Sequence, residues 1–217
     1  MIDAVIFDLD GVIVDSEPVW EEVRRGYVAK RGGRWQPDSQ RRLMGMSTGE
    51  WARYLSEELG VDRSPERVAE DVVTEMTERY RAHVPLVDGA DDVVRRLAVN
   101  WPLGLASSSP PRLIEAALAA TGLTGAFRFT LSTERVARGK PAPDVYLTVA
   151  ERLGADPARC VAIEDSSNGI RSAAAAGTRV VAVPHASYPI DPDARERAAL
   201  VLPSIGALTE QTIRSLD

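Results

Sequence analysis

One cysteine, Cys160, and two histidines, His83 and His185, are all the soft or borderline metal ligands that this 217-residue chain contains. An internal disulfide and a zinc site built on several thiolates are therefore excluded, and an isolated free thiol fits a reducing compartment, so a cytoplasmic location is expected. Neither histidine has a second candidate ligand beside it in sequence, and neither is assigned a role. Excess positive charge is also missing: 26 Lys and Arg stand against 32 Asp and Glu, a formal net charge of -6. Nucleic acid, which needs a basic footprint, is not expected as a partner. No stretch approaches the roughly 18 uninterrupted apolar residues of a membrane-spanning helix, and the opening MIDAVIFDLDG has no basic leader segment, so no membrane partner is expected either. Repeats, low-complexity tracts and long linkers are absent too. With 44% hydrophobic and 27% charged residues, the chain has an ordinary globular composition, and its length suits one large domain or a core carrying one inserted subdomain.

Short β-branched apolar runs recur along the chain. The first is Ala4-Val5-Ile6-Phe7, which meets Asp8, Asp10 and Gly11 and so reads as a buried strand ending in a polar loop. Similar runs follow at 103–106, 127–131, 161–163 and 180–183, separated by helical periodicity such as Leu113, Ile114, Ala117, Leu118 and Thr121. Alternation of this kind predicts an α/β fold, a Rossmann-like parallel sheet with helices on both faces. Ser109 before Pro110 reads as a helix N-cap, and Gly122 and Gly177 as C-terminal caps.

Strand signals vanish between residues 16 and 83. Helical spacing replaces them at Val19, Trp20, Val23 and Tyr27 and again at Val68, Val72, Met76 and Tyr80, with breaks at Gly32-Gly33, Gly45 and residues 60–65. Four amphipathic helices here can close a small bundle, so residues 16–83 are expected to form an inserted helical cap domain on a core made of 1–15 and 84–217. Trp20, Trp35, Trp51 and Tyr54 are expected in the core of this insertion, with one or two reaching a substrate pocket. Arg24, Arg25, Arg34, Arg41 and Arg42 are expected on its solvated face, with a smaller chance that one reaches an anionic substrate.

Ligands of open parallel sheets bind beyond the carboxyl ends of the strands. At those ends this sequence places Asp8 and Asp10, then Ser107, Ser108 and Ser109, then Glu164 and Asp165, with Lys140 ahead of the helix between the third and fourth runs. Four carboxylates facing one lysine repel one another unless a cation joins them, and an all-oxygen donor set selects a hard ion such as Mg2+. An Asp beside such a cation and a lysine can attack a phosphoryl group.

Taken together, Phe7-Asp-Leu-Asp-Gly-Val-Ile-Val-Asp-Ser-Glu17, Ala106-Ser107-Ser108, Gly139-Lys-Pro141 and Ile163-Glu-Asp-Ser-Ser-Asn-Gly169 resemble the four motifs of the haloacid dehalogenase superfamily. The likeness spans nearly the whole chain and is greatest to the branch of capped phosphatases and β-phosphoglucomutases. It implies that Asp8 is the nucleophile forming an aspartyl-phosphate and that Asp10 acts as general acid and then base. It further implies that Ser107, Ser108 and Lys140 bind the phosphoryl group, that Asp8, Asp10 (by its carbonyl) and Asp165 hold Mg2+, and that Glu164 stands just behind the metal.

Simpler roles exist for several of these residues. Asp8 and Asp10 alone could form a solvated loop, Lys140 could be a surface lysine, Asp165 could cap the next helix, and Asp15 and Glu17 suit capping or hinge work. The mutase branch carries a His where this chain has Trp20 and an Arg where it has Thr48, so a phosphatase acting on a small phosphorylated metabolite is expected, as a monomer or weak dimer. A β-phosphoglucomutase-like transferase and a non-catalytic sugar-phosphate sensor remain the alternatives, while a dehalogenase has no need of Asp10 or Asp165.

Overall fold

A computed structural model of the chain describes residues 1–43, 46–185 and 189–217. Six strands, β1 (Ala4–Phe7), β2 (Leu103–Ser107), β3 (Phe127–Ser132), β4 (Cys160–Glu164), β5 (Arg179–Ala182) and β6 (Leu200–Val201), form one parallel sheet in the order β3-β2-β1-β4-β5-β6. The first five coincide with the apolar runs. The sixth has only two residues, both half-buried, which is too short to leave a periodic signal.

Register explains why the polar residues meet. Phe7 ends β1 opposite Leu105 of β2 and Ile163 of β4, so Asp8 emerges level with Ala106 and Glu164. The chain leaves β1 for the β2 side and returns to its other flank as β4. That makes β1 the switch point, where a crevice opens at the carboxyl edge of a doubly wound sheet.

Successive strand residues face opposite sides of the sheet. Val5, Phe7, Leu103, Leu105, Val161 and Ile163 belong to one buried cluster, with Val93, Val94 and Leu97 of α5 (Ala90–Ala98) and Leu113, Ile114, Ala117 and Leu118 of α6 (Pro111–Ala120). Ala4, Ile6, Ala106 and Ala162 belong to the other, with Val145, Tyr146, Val149 and Ala150 of α7 (Asp144–Leu153) and Ile170 and Ala173 of α8 (Ser167–Ala175). Helices therefore cover both faces, as expected. Gly122 and Gly177 follow α6 and α8 with positive φ. Two short helices, α9 (Pro192–Arg195) and α10 (Glu210–Arg214), complete the carboxyl-terminal part, and each buries one apolar side chain, Ala194 and Ile213.

Between β1 and β2 lie α1 (Glu17–Lys30), α2 (Ser39–Leu43), α3 (Thr48–Arg53), which runs on into a π-helical turn at Tyr54–Glu58, and α4 (Pro65–Ala82). Local chemistry sets their ends. Ser47 and Glu50 form a capping box at α3, and the Ser64 hydroxyl accepts from the Arg67 amide ahead of Pro65 in the first turn of α4. Gly45, expected to separate two of these helices, lies outside the described residues. Trp20, Trp51 and Tyr54 are buried and Trp35 packs at the margin. The apolar residues of the four helices join the cluster on the α5–α6 face of the sheet, and α4 packs on α6, where Arg112 meets Glu70 at 3.0 Å.

Candidate active site

Asp8 is the first residue past β1, with its amide bonded to the Ile163 carbonyl. The Lys140 ammonium reaches it from the loop before α7: Nζ lies 2.9 Å from Asp8 Oδ1, 2.6 Å from Glu164 Oε1 and 2.9 Å from the Ala106 carbonyl, so three strand ends share one cation. Lys140 is thus no surface lysine, its side chain being 5% exposed. Glu164 is wholly buried. Its Oε1 also accepts from the Tyr146 hydroxyl at 2.7 Å, and its Oε2 from the Ser166 hydroxyl at 3.1 Å. Asp165 does not cap α8; Ser166 does, its hydroxyl accepting from the Gly169 amide.

Two glycines make this close approach possible. Gly11 has φ +75°, in the left-handed region, and a Cβ there would lie 1.9 Å from Asp165 Oδ2. A Cβ on Gly169 would lie 1.9 Å from Glu164 Oε1.

The three serines are placed differently from one another. Ser109 does not cap α6, whose first residue is Pro111 after Pro110; its hydroxyl donates to Asp10 Oδ2 at 2.8 Å. Ser107, expected on a phosphoryl oxygen, is fully buried at the end of β2, where its hydroxyl donates to the same Asp10 oxygen at 3.3 Å and accepts from the Ser109 amide. Ser108 is exposed and lines the cavity. Asp10 Oδ1 is buried with no hydrogen-bond partner among the described residues.

Electrostatics follow from this crowding. Burial, opposed by Lys140 and reinforced by the Glu164 and Asp10 carboxylates, pushes Asp8 up to about 8. Burial and the Asp8 and Glu164 charges likewise raise Asp165 well above the carboxylate range. Although burial opposes it, Asp8 and Glu164 hold the Lys140 ammonium above its ordinary value. One oxygen from each of Asp8, Glu164 and Asp165 lies within 4.8 Å of the others, and Lys140 alone among the described residues supplies a positive charge bonded to the group. Three clustered carboxylate oxygens sharing one ammonium fit a hard cation and no soft one. The Asp10 carboxylate is not among the three.

A cavity of about 140 Å3 opens over these groups, room for a small metabolite rather than a drug-sized ligand. Its other wall is helical, with Glu17, Trp20 and Arg24 from α1 and Trp51 from α3. Glu17 was expected to cap or hinge, yet its carboxylate lines the cavity and accepts from Gln40 Nε2 at 2.8 Å. Of the five arginines expected on a solvated face, Arg25, Arg34, Arg41 and Arg42 are exposed, whereas Arg24 is buried against Trp20 and Trp51. His83 is exposed, and His185 lines the cavity with Nε2 3.8 Å from Asp15 Oδ1. Tyr146 carried no signal, because its position in α7 reads as ordinary core.

Residues 2–177 match the family model of haloacid dehalogenase-like hydrolases. The chain belongs to this family. Hexitol phosphatase B of Escherichia coli O157:H7 is 33% identical to this hydrolase over 220 residues, covering 98% of this chain and 96% of that protein. Among solved structures, CbbY from Rhodobacter sphaeroides in complex with phosphate superposes with a TM-score of 0.87 at 25% identity, over 99% of this chain and all of the other. The β-phosphoglucomutase from Clostridium difficile gives 0.80 at 26% identity, over 100% and 97% of the two chains. The hydrolase thus shares its whole length, sheet and helical insertion included, with these relatives. No helix among the described residues is long and apolar enough to cross a membrane.

Proposed function

We propose that this hydrolase is a Mg2+-dependent phosphatase that releases phosphate from a small phosphorylated sugar or sugar alcohol through an aspartyl-phosphate on Asp8. The observation that carries the reading is Asp8 Oδ1 fixed 2.9 Å from Lys140 Nζ, with the unpartnered Asp10 Oδ1 in the same cavity. A nucleophile and a proton carrier stand together there. Relatives with phosphatase names and the CbbY structure holding phosphate support it.

In the first half-reaction an Asp8 oxygen attacks phosphorus as the ester oxygen leaves, and Asp10 Oδ1 gives that oxygen its proton. In the second, Asp10 Oδ1 takes a proton from water as the water oxygen attacks the phosphorus and the Asp8–phosphorus bond breaks. Ser107 and Ser109 hold Asp10 in place, while Lys140 and the exposed Ser108 offer donors to the phosphoryl oxygens. Asp8, Asp165 and the Asp10 carbonyl would hold Mg2+, with Glu164 behind them, tied to Lys140, Tyr146 and Ser166. When bound, the cation neutralises charge on the phosphoryl oxygens and among the carboxylates. Residues 16–83 act as a cap over the core of 1–15 and 84–217 and shield the site from bulk water. The buried thiol of Cys160 suits a cytoplasmic setting.

The likeness to β-phosphoglucomutase favours a second reading, transfer between positions of one sugar. Against it, the cap position that would need a proton-carrying His holds Trp20, packed against Trp51 with ring centroids 5.8 Å apart and planes tilted by 57°. Phosphate release from a panel of phosphomonoesters, with Mg2+ and with chelator, on the wild type and Asp8→Asn, tests the proposal. Metal-dependent release that the variant loses supports it. Full activity of a folded Asp8→Asn protein, or interconversion of glucose 1-phosphate and glucose 6-phosphate without phosphate release, overturns it.

A further inference from the structure

The proposed reaction gives no task to Arg24, which lines the same cavity from α1. It is 5% exposed, its Nε is buried without an acceptor, and it forms no hydrogen bond or ion pair with any described residue. Two indoles hold it, with Cζ 4.3 Å from the ring centroid of Trp20 and 5.0 Å from that of Trp51. Burial lowers its pKa to about 10 against the opposing pull of Glu17 and Asp10, so it stays cationic at neutral pH.

A buried guanidinium with five donors and no acceptor is costly, and stacking on two indoles offsets that by only about 2 kcal/mol. Neither nearby carboxylate is bonded to it: Glu17 Oε2 accepts from Gln40 and Asp10 Oδ2 from Ser107 and Ser109, with Asp10 Oδ1 left for the proton transfer. The indoles supply no acceptor to its N–H groups, and that donor fork matches an oxyanion better than a single hydroxyl. The reacting phosphoryl group belongs at the strand-end wall with Asp8 and Lys140, so an oxyanion at the helical wall is a second one.

We infer that Arg24 binds a carboxylate or a second phosphate at the non-reacting end of the substrate. This rests on the phosphatase reading and narrows it to phosphomonoesters that carry another oxyanion. The indoles, with Leu43 beside them, keep the contact in apolar surroundings, where it discriminates strongly against neutral competitors.

The test compares kcat/KM, with Mg2+, for phosphoglycolate (a carboxylate), fructose 1,6-bisphosphate (a phosphate) and glycerol 3-phosphate (neutral beyond its ester). Wild type, Arg24→Met, which keeps bulk against the indoles, and Arg24→Lys, which keeps charge, are assayed together. The wild type is expected to favour one oxyanion ester over the glycerol ester by about tenfold or more, equivalent to about 1.4 kcal/mol. Arg24→Met should collapse that ratio towards unity, mainly through KM, and Arg24→Lys should keep part of it; the favoured ester tells carboxylate from phosphate. An unchanged ratio in Arg24→Met, or equal losses on all three esters, overturns the inference while leaving the phosphatase intact. If no ester is hydrolysed the phosphatase reading fails instead, and calorimetric titration of the same two oxyanion esters decides: binding weakened about tenfold in Arg24→Met with Arg24→Lys between supports an oxyanion site, and equal affinity overturns it.

Discussion

Replacing Lys140 with Met keeps most of its length and removes its charge, which isolates the electrostatic role of the ammonium. Its Nζ lies 2.9 Å from Asp8 Oδ1 and 2.6 Å from Glu164 Oε1 inside an almost dry pocket. The oxygens of Asp8, Glu164 and Asp165 sit within 4.8 Å of one another. At that separation and an effective dielectric of about 20, each pair of ionised carboxylates repels by roughly 3 kcal/mol. Loss of the one bonded cation should therefore destabilise the metal-free protein by about 3–5 kcal/mol, or roughly 6–20 °C in melting temperature. The pH dependence has a definite sign. Asp8 has a folded pKa of about 8 against 3.8 for an ordinary solvated aspartate, so between those values the folded state binds more protons than the unfolded one and stability falls as pH rises. Without Lys140 the carboxylates hold their protons to still higher pH, so the deficit should be small near pH 5 and largest above about pH 8. Thermal melts in chelator at three pH values check this, and added Mg2+ should recover part of the loss at the alkaline end. Phosphate release should drop by about two to three orders of magnitude. A variant that melts with the wild type at every pH, or whose deficit is greatest in acid, would refute the account.

Asp10→Asn should slow hydrolysis of alkyl phosphates by about two to four orders of magnitude but that of p-nitrophenyl phosphate much less, since a good leaving group needs little protonation; parallel kcat measurements show whether the two losses differ. Gly169→Ala should cost about 1–3 kcal/mol by overpacking, because its Cβ would meet a Glu164 carboxylate held in place by Lys140, Tyr146 and Ser166. Chemical denaturation measures the loss, and a neutral result would mean that Glu164 is free to move. Tyr146→Phe removes one hydrogen bond to that buried carboxylate and should lower stability by about 1.5–3 kcal/mol without changing the fold, which melting and circular dichroism together report.

The sheet was readable because a parallel strand buried on both faces writes itself as a short apolar run, and five of the six strands did so. The same rule placed Asp8 and Glu164 correctly, since the residue after such a run leaves the sheet at its carboxyl edge. Side-chain direction was not readable. Ser107, Ser108 and Ser109 are identical in sequence terms, yet strand pleating turns Ser107 inward, the turn before α6 swings Ser109 onto Asp10, and only Ser108 stays exposed. Arg24 shows the other limit. Its helical position, one residue after the buried Val23, fits either a core-facing or a solvated side chain, and a charge at such a position is by composition a surface residue. What buries it is Trp51, brought up from α3 against Trp20, a pairing between helices that no local period encodes. The wall of the cavity that carries Asp8, Asp10 and Asp165 thus follows from strand ends and is legible in one dimension. The helical wall depends on how four short helices pack, and the contact proposed for Arg24 belongs to it.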